Sequence, residues 1–138
     1  MISVRKQDVV KLEDVLHLYQ AVGWTNYTNQ PQMLEQALSH SLVIYLALDG
    51  DAVVGLIRLV GDGFSSVFVQ DLIVLPTYQR QGIGSALMKQ ALGDFKGAYQ
   101  VQLATEQTEK NVGFYRSMGF ETLSTYDCTG MIWVNREK

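Results

Sequence analysis

The stretch from Val69 to Met88 limits what this 138-residue chain can fold into more than any other part of it. It reads as an apolar strand to Leu75, a turn marked by Pro76, and a loop with Gly82 and Gly84 that opens directly into a helix. Glycine lacks Cβ, so the backbone at Gly82 and Gly84 is free to turn tightly and approach a ligand closely. The helix beyond starts with N–H groups that have no intrahelical acceptor, at the positive end of its dipole. A strand feeding such a loop is a site for phosphate or pyrophosphate. Arg80 adds a permanent charge whose donor fork suits phosphate oxygens.

Two common nucleotide sites are excluded by residues that are missing. Ser85 and Ala86 follow Gly84, where a P-loop needs Lys and Ser/Thr. A dinucleotide fingerprint needs a third glycine after these two, and it is missing. The order Gln79-Arg80-Gln81-Gly82-Ile83-Gly84 instead resembles the Gln/Arg-x-x-Gly-x-Gly/Ala signature of the GCN5-related N-acetyltransferases (GNAT family). That resemblance implies that Gln79, Arg80, Gln81, Gly82, Ile83, Gly84 and Ser85 hold the pyrophosphate of coenzyme A. It also implies that the backbone of Leu72, Ile73 and Val74 pairs with the pantetheine arm as if it were another strand. One strand N–H, from Ile73 or Val74, would polarise the thioester carbonyl.

The remaining elements follow from periodicity and punctuation. Ile2–Lys6 alternates as a strand. Asp8 caps a helix over 9–21 that Gly23 closes. Pro31 starts a helix over 31–40. Strands over 42–48 and 52–60 flank Asp49-Gly50-Asp51, a hairpin signal. A strand over 67–75, the helix over 83–95, a strand over 99–105 and a helix over 109–117 come next. Strands over 119–125 and 129–135 are expected to close as a last hairpin. The order β-α-α-β-β-β-α-β-α-β-β implies an α+β fold with a mixed central sheet of about seven strands and four helices. It matches the acyl-CoA N-acyltransferase fold over nearly the whole chain, taken as a single domain spanning 1–138.

A second motif lies at Phe114-Tyr115-Arg116-Ser117-Met118-Gly119-Phe120. It resembles the family's helix ending in Tyr-x-x-x-Gly-Phe, which implies that the Tyr115 hydroxyl is a general acid near the coenzyme A sulfur. Giving a proton from tyrosine (pKa ~10) to a thiolate (~8.5) is uphill by about 2 kcal/mol, which collapse of the tetrahedral adduct can supply. The alternative is a core aromatic with a locally bonded hydroxyl. Many relatives carry asparagine at the position of Thr108 and alanine at that of Asn111; both residues are cofactor-contact candidates, and Thr108 can still cap the helix. Gln70 to Gln79, Phe114 to Glu121 and Gly130 to Trp133 are similar to the branch that includes the serotonin/arylalkylamine N-acetyltransferases.

The implied reaction is transfer of the acetyl group of acetyl-CoA to a primary amine of a small molecule, in a ternary complex and without a metal. With a lysine-like pKa, about one amine in a few thousand is neutral at pH 7, a cost of roughly 4.6 kcal/mol that a base or water relay must offset. Asp71 and Glu106 are the candidate bases; His40 has a suitable pKa and His17 reads as structural. Trp24, Tyr27, Phe68 and Asp71 are candidate acceptor-binding residues, with Phe64, Tyr126 and Asp62 beside them. Two further readings stand open: an acetyl-CoA-binding module that senses without transfer, and acetylation of a protein N-terminus or lysine.

A net charge of −3 argues against nucleic acid as partner. No apolar run is long enough to cross a bilayer, and the start of the chain lacks a signal-like apolar region. Cys128 is the single cysteine, in keeping with a reducing cytoplasm. A monomer or homodimer is expected.

Overall fold

A computed structural model describes residues 1–135. The chain divides into two compact units, residues 1–103 and the segment from Ala104 onward.

The first unit holds five strands: β1 (Ile2–Lys6), β2 (Val43–Asp49), β3 (Ala52–Gly61), β4 (Ser66–Val74) and β5 (Gln100–Leu103). They stand in that order in one sheet, the first three pairings antiparallel and β4–β5 parallel. Four helices belong to this unit: α1 (Leu12–Ala21), α2 (Thr25–Thr28), α3 (Pro31–Ser39) and α4 (Ile83–Asp94). The helix expected from Val9 begins three residues later. Val9 stays exposed, and the first turn is closed by Asp14, whose carboxylate accepts from the Lys11 N–H at 3.3 Å. The short α2 was not expected from periodicity, because one turn is too brief to show any.

Pairing parity sorts the strand side chains into two layers. Ile44, Leu46, Leu48, Leu56 and Ile73 form one core with Val15, Leu18 and Tyr19 of α1 and Leu34 and Leu38 of α3. The alternate residues of β2 and β3 face α4, which buries Ile83, Leu87, Met88 and Ala91. Tyr45 is fixed there by a 2.6 Å hydrogen bond to Asp94 at the end of α4. Close approach of α4 needs small residues beneath it. A Cβ on Gly55 would lie 3.4 Å from the Leu87 side chain and 3.0 Å from the Ile73 carbonyl.

A bulge in β4 decides what the site contains. Leu59 pairs with Val69 and Arg58 with Asp71, so Gln70 is the extra residue. A bulge of one residue moves the side chains beyond it to the other face. Val67 and Val69 therefore lie on the α4 layer, whereas Asp71 and Ile73 lie against α1 to α3. The buried-every-second-residue pattern of β4 runs through the bulge unbroken, so the sequence pattern conceals the change of layer.

The second unit contains α5 (Glu109–Ser117) and a 3-10 turn at Leu123–Tyr126. Gly119 takes φ 98°, and the Phe120 N–H reaches back to the Tyr115 carbonyl at 3.0 Å. The two rings meet edge to face at 6.0 Å, which completes a glycine-terminated helix end with its apolar contact. The hairpin expected over 119–125 and 129–135 does not form, and the described sheet has five strands rather than about seven. Met131, Ile132 and Trp133 are exposed. A two-stranded hairpin is marginal unless a face is packed, and these side chains bury no such face.

Candidate active site

Beyond Val69 the sheet opens. The parallel pairing of β4 with β5 covers only Ser66 to Val69, so Gln70 to Val74 has no strand on that side among the described residues. The Leu75 N–H donates to the Val54 carbonyl at 2.9 Å. Antiparallel ladders alternate, so Ile73 also turns its backbone groups toward β3, consistent with its carbonyl lying beside Gly55. Leu72 and Val74 then present theirs to the open edge. The Val74 carbonyl takes a 3.2 Å hydrogen bond from the Gln79 side chain. Of the two N–H candidates for the thioester carbonyl, Val74 faces the open edge and Ile73 is committed to the ladder.

The loop after β4 ends in a ready anion site. Pro76–Tyr78 makes one 3-10 turn. Arg80 and Gly82 both take positive φ, 67° and 79°, an arrangement that gathers successive N–H groups into a concavity. Arg80 is not a glycine, and a side chain in this region is strained by an amount of order 1 kcal/mol. A Cβ on Gly82 would meet nothing within 4 Å. Gly82 is the N-cap of α4 and contributes no side chain. Among the described residues the backbone N–H groups of Arg80 through Ser85 have no acceptor in the protein; the ladder begins with Ala86 donating to Gly82 at 3.0 Å. Six unsatisfied donors and the dipole of α4 make an anion cradle, so Gln79 to Ser85 fit a pyrophosphate.

Asp71, expected as a base or as an acceptor-binding carboxylate, is buried and held by three donors instead. It is 2% exposed. One oxygen accepts from the Tyr19 hydroxyl at 2.8 Å and from Arg58 Nε at 2.7 Å, and the other accepts from the Tyr27 hydroxyl at 3.0 Å. A buried carboxylate that accepts from three donors, one of them a buried guanidinium, serves the structure and is closed off from an incoming amine. Arg58 also donates to the Ser41 hydroxyl at 3.3 Å and to the Tyr27 oxygen at 3.2 Å. Burial and then the Asp71 charge push the Tyr19 hydroxyl well above the ordinary tyrosine range and raise that of Tyr27. Burial, the largest single effect, lowers the Arg58 guanidinium, but the charge and hydrogen bond of Asp71 together with Tyr19 and Tyr27 outweigh it and raise it. Arg58 and Tyr19 escaped sequence reading: a lone arginine in an apolar strand carries no partner signal until the fold supplies one.

Trp24, Tyr27 and Tyr19 form an aromatic cluster, with ring centroids 5.2 to 6.3 Å apart. Tyr27 is 9% exposed and Trp24 is half-buried. Phe68, also half-buried, sits across from Val60 and Gln102. Phe64 is exposed at the β3–β4 turn. Asp62 is taken up by that turn, accepting from the N–H groups of Phe64, Ser65 and Ser66. His17 bonds the Val53 carbonyl at 2.7 Å and His40 the Gln36 carbonyl at 2.9 Å; both are structural. A concavity of about 280 Å³ bounded by Lys6, Asp8, Ser39, Ser41 and Val43 shares no residue with β4 or the loop.

In the second unit, Tyr115 is half-buried, its ring edge-to-face with Phe114 at 5.0 Å. Burial raises its pKa, and a hydrogen bond with the Thr105 side chain opposes the rise. The Thr108 hydroxyl accepts from the Asn111 N–H at 3.1 Å and caps α5, as its type and position implied. Glu106 is exposed, with no hydrogen bond to its carboxylate among the described residues. Tyr126 is exposed as well.

A mixed sheet that opens at the strand leading into a helix start with free N–H groups sets an unpaired strand edge beside an anion-suited loop. Residues 40–122, more than half the chain, match the family model described as an acetyltransferase (GNAT) domain. The chain belongs to the GNAT family of acetyltransferases. It is similar to a solved GNAT family acetyltransferase from Streptococcus pneumoniae TIGR4, at 86% identity and TM-score 0.91 over 99% of both chains. It is 34% identical to "Serotonin N-acetyltransferase 2, chloroplastic" of Oryza sativa subsp. japonica, over 66% of this chain and 48% of that protein. A coenzyme A complex of the PaiA N-acetyltransferase from Thermoplasma acidophilum shares the fold at 20% identity and TM-score 0.69, over 88% of this chain and 90% of that one. The chain spans about half the length of the curated relatives it matches. No helix among the described residues is long and apolar enough to cross a membrane.

Proposed function

We propose that this chain transfers the acetyl group of acetyl-CoA to the primary amine of a small molecule, by direct attack in a ternary complex. The observation that carries the reading is the row of unsatisfied N–H groups from Arg80 to Ser85 at the start of α4, beside a strand edge left open at Leu72 and Val74. An edge already fixed in a sheet binds a second amide chain at little conformational cost. Bound there, acetyl-CoA supplies the activated acyl group. Gln79 to Ser85 hold its pyrophosphate, and the Val74 N–H is the donor aimed at the side where the carbonyl would lie.

On the acceptor side, Trp24, Tyr27 and Phe68 supply apolar contact. With Asp71 engaged by three donors, Glu106 is the candidate carboxylate to take the amine's proton, through water. Tyr115 is the acid for the departing thiolate, a hydroxyl that an ordinary tyrosine pKa already keeps protonated at neutral pH. Thr108 and Asn111 set the start of the helix that carries it. The chain acts as one domain in this reading.

The test pairs binding with turnover. Coenzyme A at a hundredfold excess over Kd should stabilise the protein by about 2.7 kcal/mol in thermal denaturation, and acetyl-CoA should be consumed only when a primary amine is added. Stabilisation by ATP or NADH with none by coenzyme A overturns the reading. Consumption driven by peptides and not by small amines moves the acceptor to a protein.

A further inference from the structure

Gln70 is the residue left over by the β4 bulge. Its amide nitrogen lies 3.4 Å from the Tyr27 hydroxyl oxygen, and the residue itself is exposed. Which end of a glutamine amide faces which neighbour has to be argued from the hydrogen-bond network, and here the network leaves one answer. Arg58 has only donors and ionised Asp71 only acceptors. The single hydroxyl proton of Tyr27 goes to Asp71, whose second oxygen has no other donor. The Tyr27 oxygen is therefore an acceptor toward everything else. It takes one N–H from Arg58 at 3.2 Å and leaves its remaining lone pair to Gln70. Only the NH2 end of Gln70 can satisfy it, so the carbonyl end is turned outward. No hydrogen bond occupies that oxygen among the described residues. The buried Arg58–Asp71 pair thus dictates, through Tyr27, the polarity of an exposed amide two residues before Leu72, at the point where the sheet opens.

We propose that Gln70 determines acceptor specificity: its outward carbonyl oxygen accepts an N–H of the substrate amine and favours an acceptor with more than one such hydrogen. Resting on the acetyl-transfer reading above, this names the contact that selects the amine. An acceptor-only contact engages one N–H and leaves the nitrogen lone pair free to attack. It also holds the cationic form without a buried carboxylate, and Asp71 is already neutralised by Arg58. A secondary amine has one hydrogen fewer to share between this contact and the proton relay. Primary amines are therefore preferred.

The experiment uses the purified 138-residue chain with phenethylamine, putrescine and glycinamide as acceptors, and N-methylphenethylamine as the secondary comparison. Gln70→Met keeps side-chain length and removes the acceptor. The expected result is a rise of about tenfold in KM for the best primary amine, in the range for loss of one polar substrate contact. KM for acetyl-CoA stays unchanged, thermal stability falls only slightly with the lost 3.4 Å contact to Tyr27, and the preference for phenethylamine over its N-methyl form shrinks. Tyr27→Phe, which releases the Gln70 amide from its anchor, raises the amine KM by a smaller factor, about threefold. An unchanged amine KM in Gln70→Met, or amine and acetyl-CoA KM rising together, overturns the inference while acetyl transfer stands. A wild-type protein that transfers to no amine overturns the transfer reading itself, and this inference with it.

Discussion

Two regions at the ends of one strand segment treat polar groups in opposite ways. Around Asp71 the buried polar side chains find partners: Tyr19, Tyr27 and Arg58 join it in one network, with Ser41 and the exposed Gln70 at its rim. A few residues on, from Arg80 to Ser85, N–H groups stand open and the backbone is held at positive φ where no glycine relieves it. Buried polar groups that are satisfied build shape, because removing a partner leaves a buried polar group or charge unsatisfied. Exposed groups left without partners are available to a ligand. An acidic residue beside an open strand edge is therefore a weak candidate for catalysis until its partners have been counted.

The sharpest way to break this contrast is Asp71→Ala. It leaves the Arg58 guanidinium buried and unpaired and should lower unfolding stability by about 3–5 kcal/mol, read from urea denaturation. A loss under 1 kcal/mol would show that Asp71 is not the keystone of the network. Gly82→Asp attacks the other region, placing a side chain and a negative charge at the anion cradle. Asp tolerates positive φ better than most residues, so folding should survive. Calorimetry should find coenzyme A affinity reduced at least a hundredfold, about 2.7 kcal/mol. Unchanged affinity in the folded variant would put the phosphate elsewhere.

Tyr115→Phe asks whether the second unit supplies chemistry or packing. As an acid acting in the transition state, Tyr115 predicts a fall in kcat of more than about tenfold with little change in acetyl-CoA KM. Wild-type turnover with an unaltered pH profile would make it a packing residue. The smallest effect concerns the buried tyrosines. Tyr19, Tyr27 and Tyr45 have raised pKa values, through burial first and then their carboxylate partners. Their folded form binds protons more tightly than the unfolded chain, so the stability they confer is complete below pH ~10 and declines as pH climbs beyond it. Tyrosinate absorbance should rise from the buried three only as near-UV circular dichroism collapses.

Much of the fold was legible in the chain. The boundaries of β1 and α5 and the Pro31 start of α3 follow from local periodicity, capping and proline geometry, which need no distant partner. The Gly82 cradle was legible for the same reason: a strand, a glycine turn and a helix start are adjacent in sequence, and their N–H groups point outward by backbone geometry alone. The Thr108 cap and the Gly119 helix end belong with these. The last hairpin was not legible in this way. Residues 119–125 and 129–135 carry strand-like composition, but a strand is made by its neighbour, and none of the described strands pairs with them.

What tertiary structure alone decided is the meaning of Asp71. One inserted residue at Gln70 turns Asp71 toward α1 and α2, and the register of β3 brings Arg58 opposite it. Neither event leaves a trace in the sequence, since the apolar alternation continues across the bulge and the four partners span positions 19 to 71. Local rules are written in neighbouring residues and can be read from them. A side chain's charge, its freedom to move a proton and the direction in which Gln70 presents its carbonyl depend on groups that only the folded chain brings within hydrogen-bonding distance.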